Sequence, residues 1–189
     1  MLKILGWLAA LAFVAAIVAT AASAQTPEDA VRALGADFEA AAEVAGSNPS
    51  AGAAQVGAAL DRWFDLRSMA LSALPEAFRD KADDAYLQAY RSNLARAFVR
   101  RTLRAGDGDL IPIGTRQLGS LTLVGTEVRE DGRLVRMTEF YMRPVGGGFR
   151  VSNVAVEGVL VTAQQQKDFR PILISGDMPA LVAYLSGAP

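Results

Sequence analysis

The chain has 189 residues, of which 51% are hydrophobic, so it is long enough for one domain with a sizeable core. It contains no cysteine and no histidine, which excludes disulfides, thiol nucleophiles, Ser-His pairs and metal sites built on Cys or His. The 19 basic and 20 acidic residues give a net charge of −1, which offers no electrostatic basis for binding nucleic acid.

The first 24 residues have the composition of a secretory signal peptide. Lys3 precedes an apolar run over 4–22, and the run ends in a small-x-small site at 22–24. We therefore expect cleavage after Ala24, a single mature domain over 25–189, and secretion across an inner membrane. An uncleaved membrane anchor is the alternative, because the run is roughly long enough to span a bilayer.

The first half of the mature chain is predicted to be helical, since its apolar residues recur at a spacing of three or four. Pro75 is a candidate kink, and Asp80 is a plausible N-cap. The predicted helices cover Pro27–Ala45, Pro49–Phe64, Asp65–Phe78, Asp80–Arg104 and, at the end of the chain, Ala163–Leu173 and Met178–Ser186.

Beyond residue 109 the apolar pattern changes to a period of two, which is typical of strands. Four strands are predicted over Leu110–Leu118, Ser120–Glu130, Arg133–Pro144 and Gly148–Val156. Asp131-Gly132 predicts a tight hairpin between the middle two. The strands are apolar on both faces, so the sheet must be covered on both faces or must wall a cavity. The sequence thus predicts an α+β fold, in which helices from both ends wrap an antiparallel sheet.

Residues 154–185, VAVEGVLVTAQQQKDFRPILISGDMPALVAYL, resemble the closing segment of the MlaC family of periplasmic phospholipid-trafficking proteins. The shared features are a Val-Glu-Gly-Val turn at 156–159, an aromatic at Phe169 and a last helix with leucines at its ends. The chain departs from the family pattern at Phe149, Asn153 and Leu160, where the family has Trp, Asp and Ser.

The resemblance implies a carrier that is not an enzyme. Such a carrier holds the acyl tails of a glycerophospholipid in an apolar cavity, with the lipid as cargo and with no cofactor or metal. It is expected to exchange lipid with an outer-membrane lipoprotein–porin complex and an inner-membrane ABC-transporter complex, and so to maintain outer-membrane lipid asymmetry.

The candidate cavity walls are apolar and aromatic residues of the long helix and of the sheet, any one of which could instead be an ordinary core residue. On the helix they are Tyr86, Tyr90, Leu94 and Phe98. On the sheet they are Leu121, Leu123, Met137, Phe140, Tyr141, Val154 and Val156.

Three alternatives stay open from the sequence. The chain could belong to a related branch that handles hopanoid lipids. It could be a cone-shaped α+β enzyme that uses Glu139 or Glu157 as a base. It could also be an interaction module of an envelope complex, with a solid core and no cargo.

Overall fold

A computed structural model describes residues 26–105 and 109–187, and the side chains of 100–105 are not among the described ones. The predicted signal peptide therefore lies outside the described residues. The described residues fold as six α-helices, one 3₁₀ helix and one sheet. The helices are α1 (Pro27–Ser47), α2 (Pro49–Trp63), α3 (Leu66–Ser72), the 3₁₀ helix (Glu76–Lys81), α4 (Asp84–Ala105), α5 (Val161–Ser175) and α6 (Met178–Ser186).

Side chains just before the helices satisfy their first backbone N–H groups. Thr26 Oγ1 accepts from Asp29 N at 3.1 Å at the start of α1, and Asn48 Oδ1 accepts from Ala51 N at 3.1 Å at the start of α2. Both helices also carry a proline in their first turn. Proline suits this position because a backbone N–H there would have no partner within the helix.

The third helix forms where it is predicted but ends earlier, and the predicted start of the long helix at Asp80 is wrong. The helix ends at Ser72, and the 3₁₀ helix follows directly after Pro75. Proline lacks an N–H donor and disfavours the helical conformation in the residue before it, which explains the break. Asp83, and not Asp80, caps α4, because its Oδ1 accepts from Tyr86 N at 2.8 Å.

The sheet is antiparallel throughout, with its strands in the order β1-β2-β3-β4-β5. The strands are β1 (Asp109–Leu118), β2 (Leu121–Glu130), β3 (Arg133–Val145), β4 (Gly148–Val156) and β5 (Val159–Leu160). The predicted Asp131-Gly132 hairpin is confirmed, with φ of 50° and 75° at the two turn residues. The predicted α+β class is confirmed, and the two-residue β5 is the addition to the four expected strands.

The helices pack on one face of the sheet, and α1 contacts both β1 and β4 across it. A backbone bond ties the helical half to the sheet, since Asp65 N donates to the Val151 carbonyl at 2.9 Å. The largest buried side chains of the helical layer include Leu60, Tyr86 and Tyr90. Among the described residues, this layer and the inner face of the sheet leave a cavity between them.

Candidate functional site

A cavity of about 770 Å³ lies between the helical layer and the inner face of the sheet. Its walls come from α1, α4 and α5 on one side and from β1 to β4 on the other. Most of its lining is apolar, which is the kind of surface that favours hydrocarbon over water. The prediction that helices and sheet enclose an apolar cavity is thereby confirmed.

Three phenylalanines from different helical segments form one wall of this cavity. Phe38 of α1 stacks on Phe98 of α4, with ring centroids 4.5 Å apart and planes 2° from parallel. Phe64, which follows α2, meets both rings edge-on at 6.3 Å. Stacked and edge-to-face contacts are favoured geometries of aromatic pairs, so the three rings stabilise one another while they form an apolar wall.

The opposite wall is the inner face of the sheet. Phe140 and Val154 face each other across β3 and β4, and Thr138 pairs with Val156 next to them. Because side chains alternate along a strand, the inward set of β3 is Arg136, Thr138 and Phe140. The same alternation directs Val128 of β2 inward.

Small residues keep the cavity open where α1 crosses β1. Gly35 lies so close to Leu110 that an added Cβ would be 3.4 Å from the Leu110 Cβ. Ala42 of α1 and Ala97 of α4 also line the cavity. A leucine at Ala42 or Ala97 would occupy space that the cavity now leaves free, and one at Gly35 would press against Leu110.

Tyr86 and Tyr90 pack beside the cavity without lining it. Both are fully buried, and the Tyr86 hydroxyl donates to the Ala70 carbonyl at 2.7 Å. The Tyr90 hydroxyl donates to Gln165 Oε1 at 2.9 Å, and Gln165 does line the cavity. Burial raises the pKa of both phenols well above the usual value for tyrosine.

The structure brings five of the predicted wall residues together around the cavity and places six elsewhere. Those that line it are Leu94, Phe98, Phe140, Val154 and Val156. Tyr86 and Tyr90 belong to the packed core beside it. Leu121, Leu123, Met137 and Tyr141 lie on the opposite face of the sheet by the alternation of β2 and β3.

Sequence reasoning assigned no part of the cavity to α1, although this helix supplies Leu34, Gly35, Phe38 and Ala42. The apolar spacing of α1 predicts a buried face, but it does not distinguish a face on a solid core from a face on a cavity. The local signal for a cavity next to α1 is that small residues, Gly35 and Ala42, occur near Leu34 and Phe38.

Charged residues occur at one end of the cavity, where β1 and β3 begin and β2 ends. Asp109 of β1, Glu130 of β2 and Arg136 of β3 line it there, and Arg32 and Glu39 of α1 are the other charged residues of the lining. Arg32 makes an exposed ion pair with Asp29 at 3.0 Å. The cavity therefore has charged residues at this end, whereas Phe64, Phe98 and Phe140 make other parts of its wall apolar.

The two glutamates of the enzyme alternative do not line the cavity. Glu139 accepts from Arg116 Nη2 at 3.0 Å on the outer face of the sheet. Glu157 is exposed after β4, where its Oε1 accepts from Met137 N at 2.7 Å and so fixes the turn before β5. Both carboxylates thus have structural partners away from the enclosed space.

No helix among the described residues combines the length and the apolar character that a membrane span requires. Within the same residues, no group of three or more acidic side chains is placed to hold a metal ion.

An antiparallel sheet with helices packed on one face and an apolar cavity between them is typical of α+β domains that bind a ligand. Comparison with known proteins identifies the family within this class. A family model described as "MlaC protein" matches residues 28–187, which is nearly the whole of the predicted mature chain. The chain belongs to the MlaC family.

A solved structure shares this fold. The phospholipid-binding protein from Ralstonia solanacearum, determined in complex with a phospholipid, superimposes with a TM-score of 0.68. The match covers 88% of this chain and 97% of that one at 15% sequence identity. A comparison with curated proteins finds no match.

Proposed function

We propose that the protein is a phospholipid carrier that holds acyl tails in the cavity between α1, α4 and the sheet. The observation that carries the proposal is the apolar space of about 770 Å³ inside a chain of this size. Membership of the MlaC family supports it, and so does the phospholipid bound to the structurally similar Ralstonia protein.

The physical basis is the transfer of hydrocarbon out of water. Burying one methylene contributes about 0.8 kcal/mol, so two tails with about 30 methylenes contribute on the order of 24 kcal/mol before costs. This gross value exceeds the practical limit of binding free energy, roughly 18–21 kcal/mol, so ordering costs must offset part of it. A lipid bound this way leaves slowly, and we therefore propose that a membrane complex opens the cavity for release.

The proposed setting is the periplasm, where free lipid is insoluble and needs such a carrier. The signal-peptide pattern before Gln25 supports export, and the family supports a route between membranes. On this route the protein exchanges lipid with an outer-membrane lipoprotein–porin complex and an inner-membrane ABC-transporter complex. The lipid asymmetry of the outer membrane depends on this exchange.

The test is lipid extraction from the mature protein after expression with its own leader, followed by mass spectrometry. We expect a phospholipid in near-stoichiometric amount in the wild type. Recovery of hopanoids in place of phospholipids would favour the related lipid-handling branch. Protein free of any lipid, both as purified and after incubation with phospholipid vesicles, would contradict the carrier function and favour an interaction module.

A further inference from the structure

The pairing of β3 with β4 shows where the cavity ends along the sheet. Phe140 of β3 pairs with Val154 of β4, and both side chains line the cavity. The next pair of the same face is Met142 with Val151, and both residues are fully buried members of the hydrophobic core, outside the described lining. Phe140 is therefore the last cavity-lining residue of β3 before the packed core.

The helical layer is joined to the sheet at this same place. Phe64 lines the cavity and is only 3% exposed, and its backbone forms a parallel bridge with Val151. Asp65 N donates to the Val151 carbonyl at 2.9 Å, and Arg143 Nη1 donates to Asp65 Oδ2 at 2.9 Å. Because hydrogen bonds connect the two layers where the lining stops, we call Phe64 and Phe140 the closed end of the cavity.

In the opposite direction β3 becomes exposed. Thr138 and Arg136 are its other lining residues, and Leu134, next to the Asp131-Gly132 hairpin, is 50% exposed. A strand advances about 3.3 Å per residue, so the lining positions from Arg136 to Phe140 span about 13 Å. An extended 14-carbon tail exceeds this span slightly, whereas an extended 18-carbon tail exceeds it clearly.

We propose that the closed end limits the length of the acyl tails, so that the protein selects phospholipids with tails of about 14 carbons over those with 18. The inference rests on the proposed function and deepens it, because it names the class of tail. Phe64 and Phe140 are the residues that determine this specificity. Their side chains occupy the space into which a longer tail would extend.

The energetics follow from where each methylene of the lipid ends up. A methylene that moves from a bilayer into the cavity stays in an apolar environment, so its transfer changes the free energy little. A methylene that finds no room remains in water, and each such group lowers the relative affinity roughly fourfold. Competition between short and long tails in one bilayer therefore reports how much of each tail the cavity accommodates.

The experiment uses the lipid-free mature protein and vesicles of phosphatidylethanolamine and phosphatidylglycerol. Each headgroup is present in equal parts with two 14-carbon or two 18-carbon monounsaturated tails. After incubation and re-isolation, mass spectrometry counts the lipids bound per protein. We expect the wild type to take up at least tenfold more of the 14-carbon lipids, because two methylenes left in water already give a factor of about sixteen.

Variants assign the effect to the closed end. Phe140→Leu and, from the helical side, Phe64→Leu each remove three carbons and keep an apolar core residue. Each is expected to lower the ratio of short to long tails about fourfold, the effect of one further methylene that finds room. Val154→Leu adds a carbon beside Phe140 and should raise the ratio. Phe169→Leu is the matched control, because Phe169 is as buried as Phe64 and lies outside the described lining, and it should leave the ratio unchanged.

The outcomes separate this inference from the carrier function. Equal uptake of both tail lengths by the wild type, or a preference for the longer tails, overturns the length selection and leaves the carrier function standing. The same conclusion follows if none of the three cavity variants changes the ratio, or if the control variant changes it as much as Phe140→Leu does. Failure of the wild type to take up any of these lipids overturns both.

Discussion

The hydroxyl of Tyr90 on α4 donates to Gln165 Oε1 on α5 at 2.9 Å, at the boundary between the packed core and the cavity. The bond joins two of the helices that line the cavity on one side. It also satisfies the hydroxyl of the fully buried Tyr90, and a buried polar group left without a partner costs about 1–3 kcal/mol. The same contact therefore supports the fold and fixes one polar group of the site.

Removing this hydroxyl should destabilise the protein. We expect Tyr90→Phe to lower the free energy of unfolding by about 1–2 kcal/mol in urea titrations, because Gln165 loses its partner. In the double variant Tyr90→Phe, Gln165→Leu, the two losses should be clearly less than additive. Strict additivity would show that the hydrogen bond contributes nothing.

Because Tyr86 and Tyr90 are buried, we expect the free energy of unfolding to fall at alkaline pH. Burial raises the pKa of Tyr86 and Tyr90 in the folded state, so the folded state favours the neutral phenol. This stabilisation is complete below the unfolded-state pKa of about 10 and is lost as the pH rises above that value. Chemical denaturation between pH 8 and about 11.5 should show the decline, and it should be shallower in Tyr86→Phe. Equal slopes in the two proteins would contradict the assignment.

Filling the cavity should reduce the lipid content without unfolding the protein. Val154 lines the cavity on β4, and the free volume next to it accommodates a larger ring. We expect Val154→Phe to lower the lipid bound per protein severalfold while the melting temperature of the lipid-free protein changes little. Val145→Phe, at the exposed end of β3, is the control and should bind like the wild type. A variant with full lipid content would place the lipid elsewhere.

The side chain of Asp37 on α1 connects α1 to the end of α2 through two hydrogen bonds. Asp37 Oδ2 accepts from Trp63 Nε1 at 2.7 Å and from Arg62 Nη1 at 3.0 Å. Asp37→Ala should lower the free energy of unfolding by about 1–3 kcal/mol, chiefly because the indole N–H loses a charged partner. Arg62→Gln should cost less than about 0.5 kcal/mol, since its side chain is 67% exposed. The urea midpoints of the two variants distinguish these contributions.

The class of the fold could be predicted because local signals agreed with one another along the chain. The helical spacing of α1, α2 and α6, the period of two in the strands and the Asp131-Gly132 turn all specify their elements locally. The strand β5 could not be found this way, because two residues carry no periodicity. Its position depends on pairing with Ala155 and Val156.

The site was harder to predict than the fold for a reason visible in β3. Met137 and Tyr141 alternate with Thr138 and Phe140, and both sets are sufficiently apolar to be buried. Alternation separates the two faces, but only tertiary packing decides which of them meets the helices. For the same reason Tyr86 and Phe98 share an apolar stripe of α4, and yet only Phe98 reaches the cavity.

The central claim is that the acyl tails lie between the helices and the inner face of the sheet. The most direct test is photo-crosslinking of the mature protein with a phospholipid that carries a diazirine in the middle of one tail. Peptide mass spectrometry should place the crosslinks on cavity residues such as Phe98, Phe140 and Val154. Crosslinks confined to the outer face, at Val135 and Met137, or no crosslinks at all, would contradict the account.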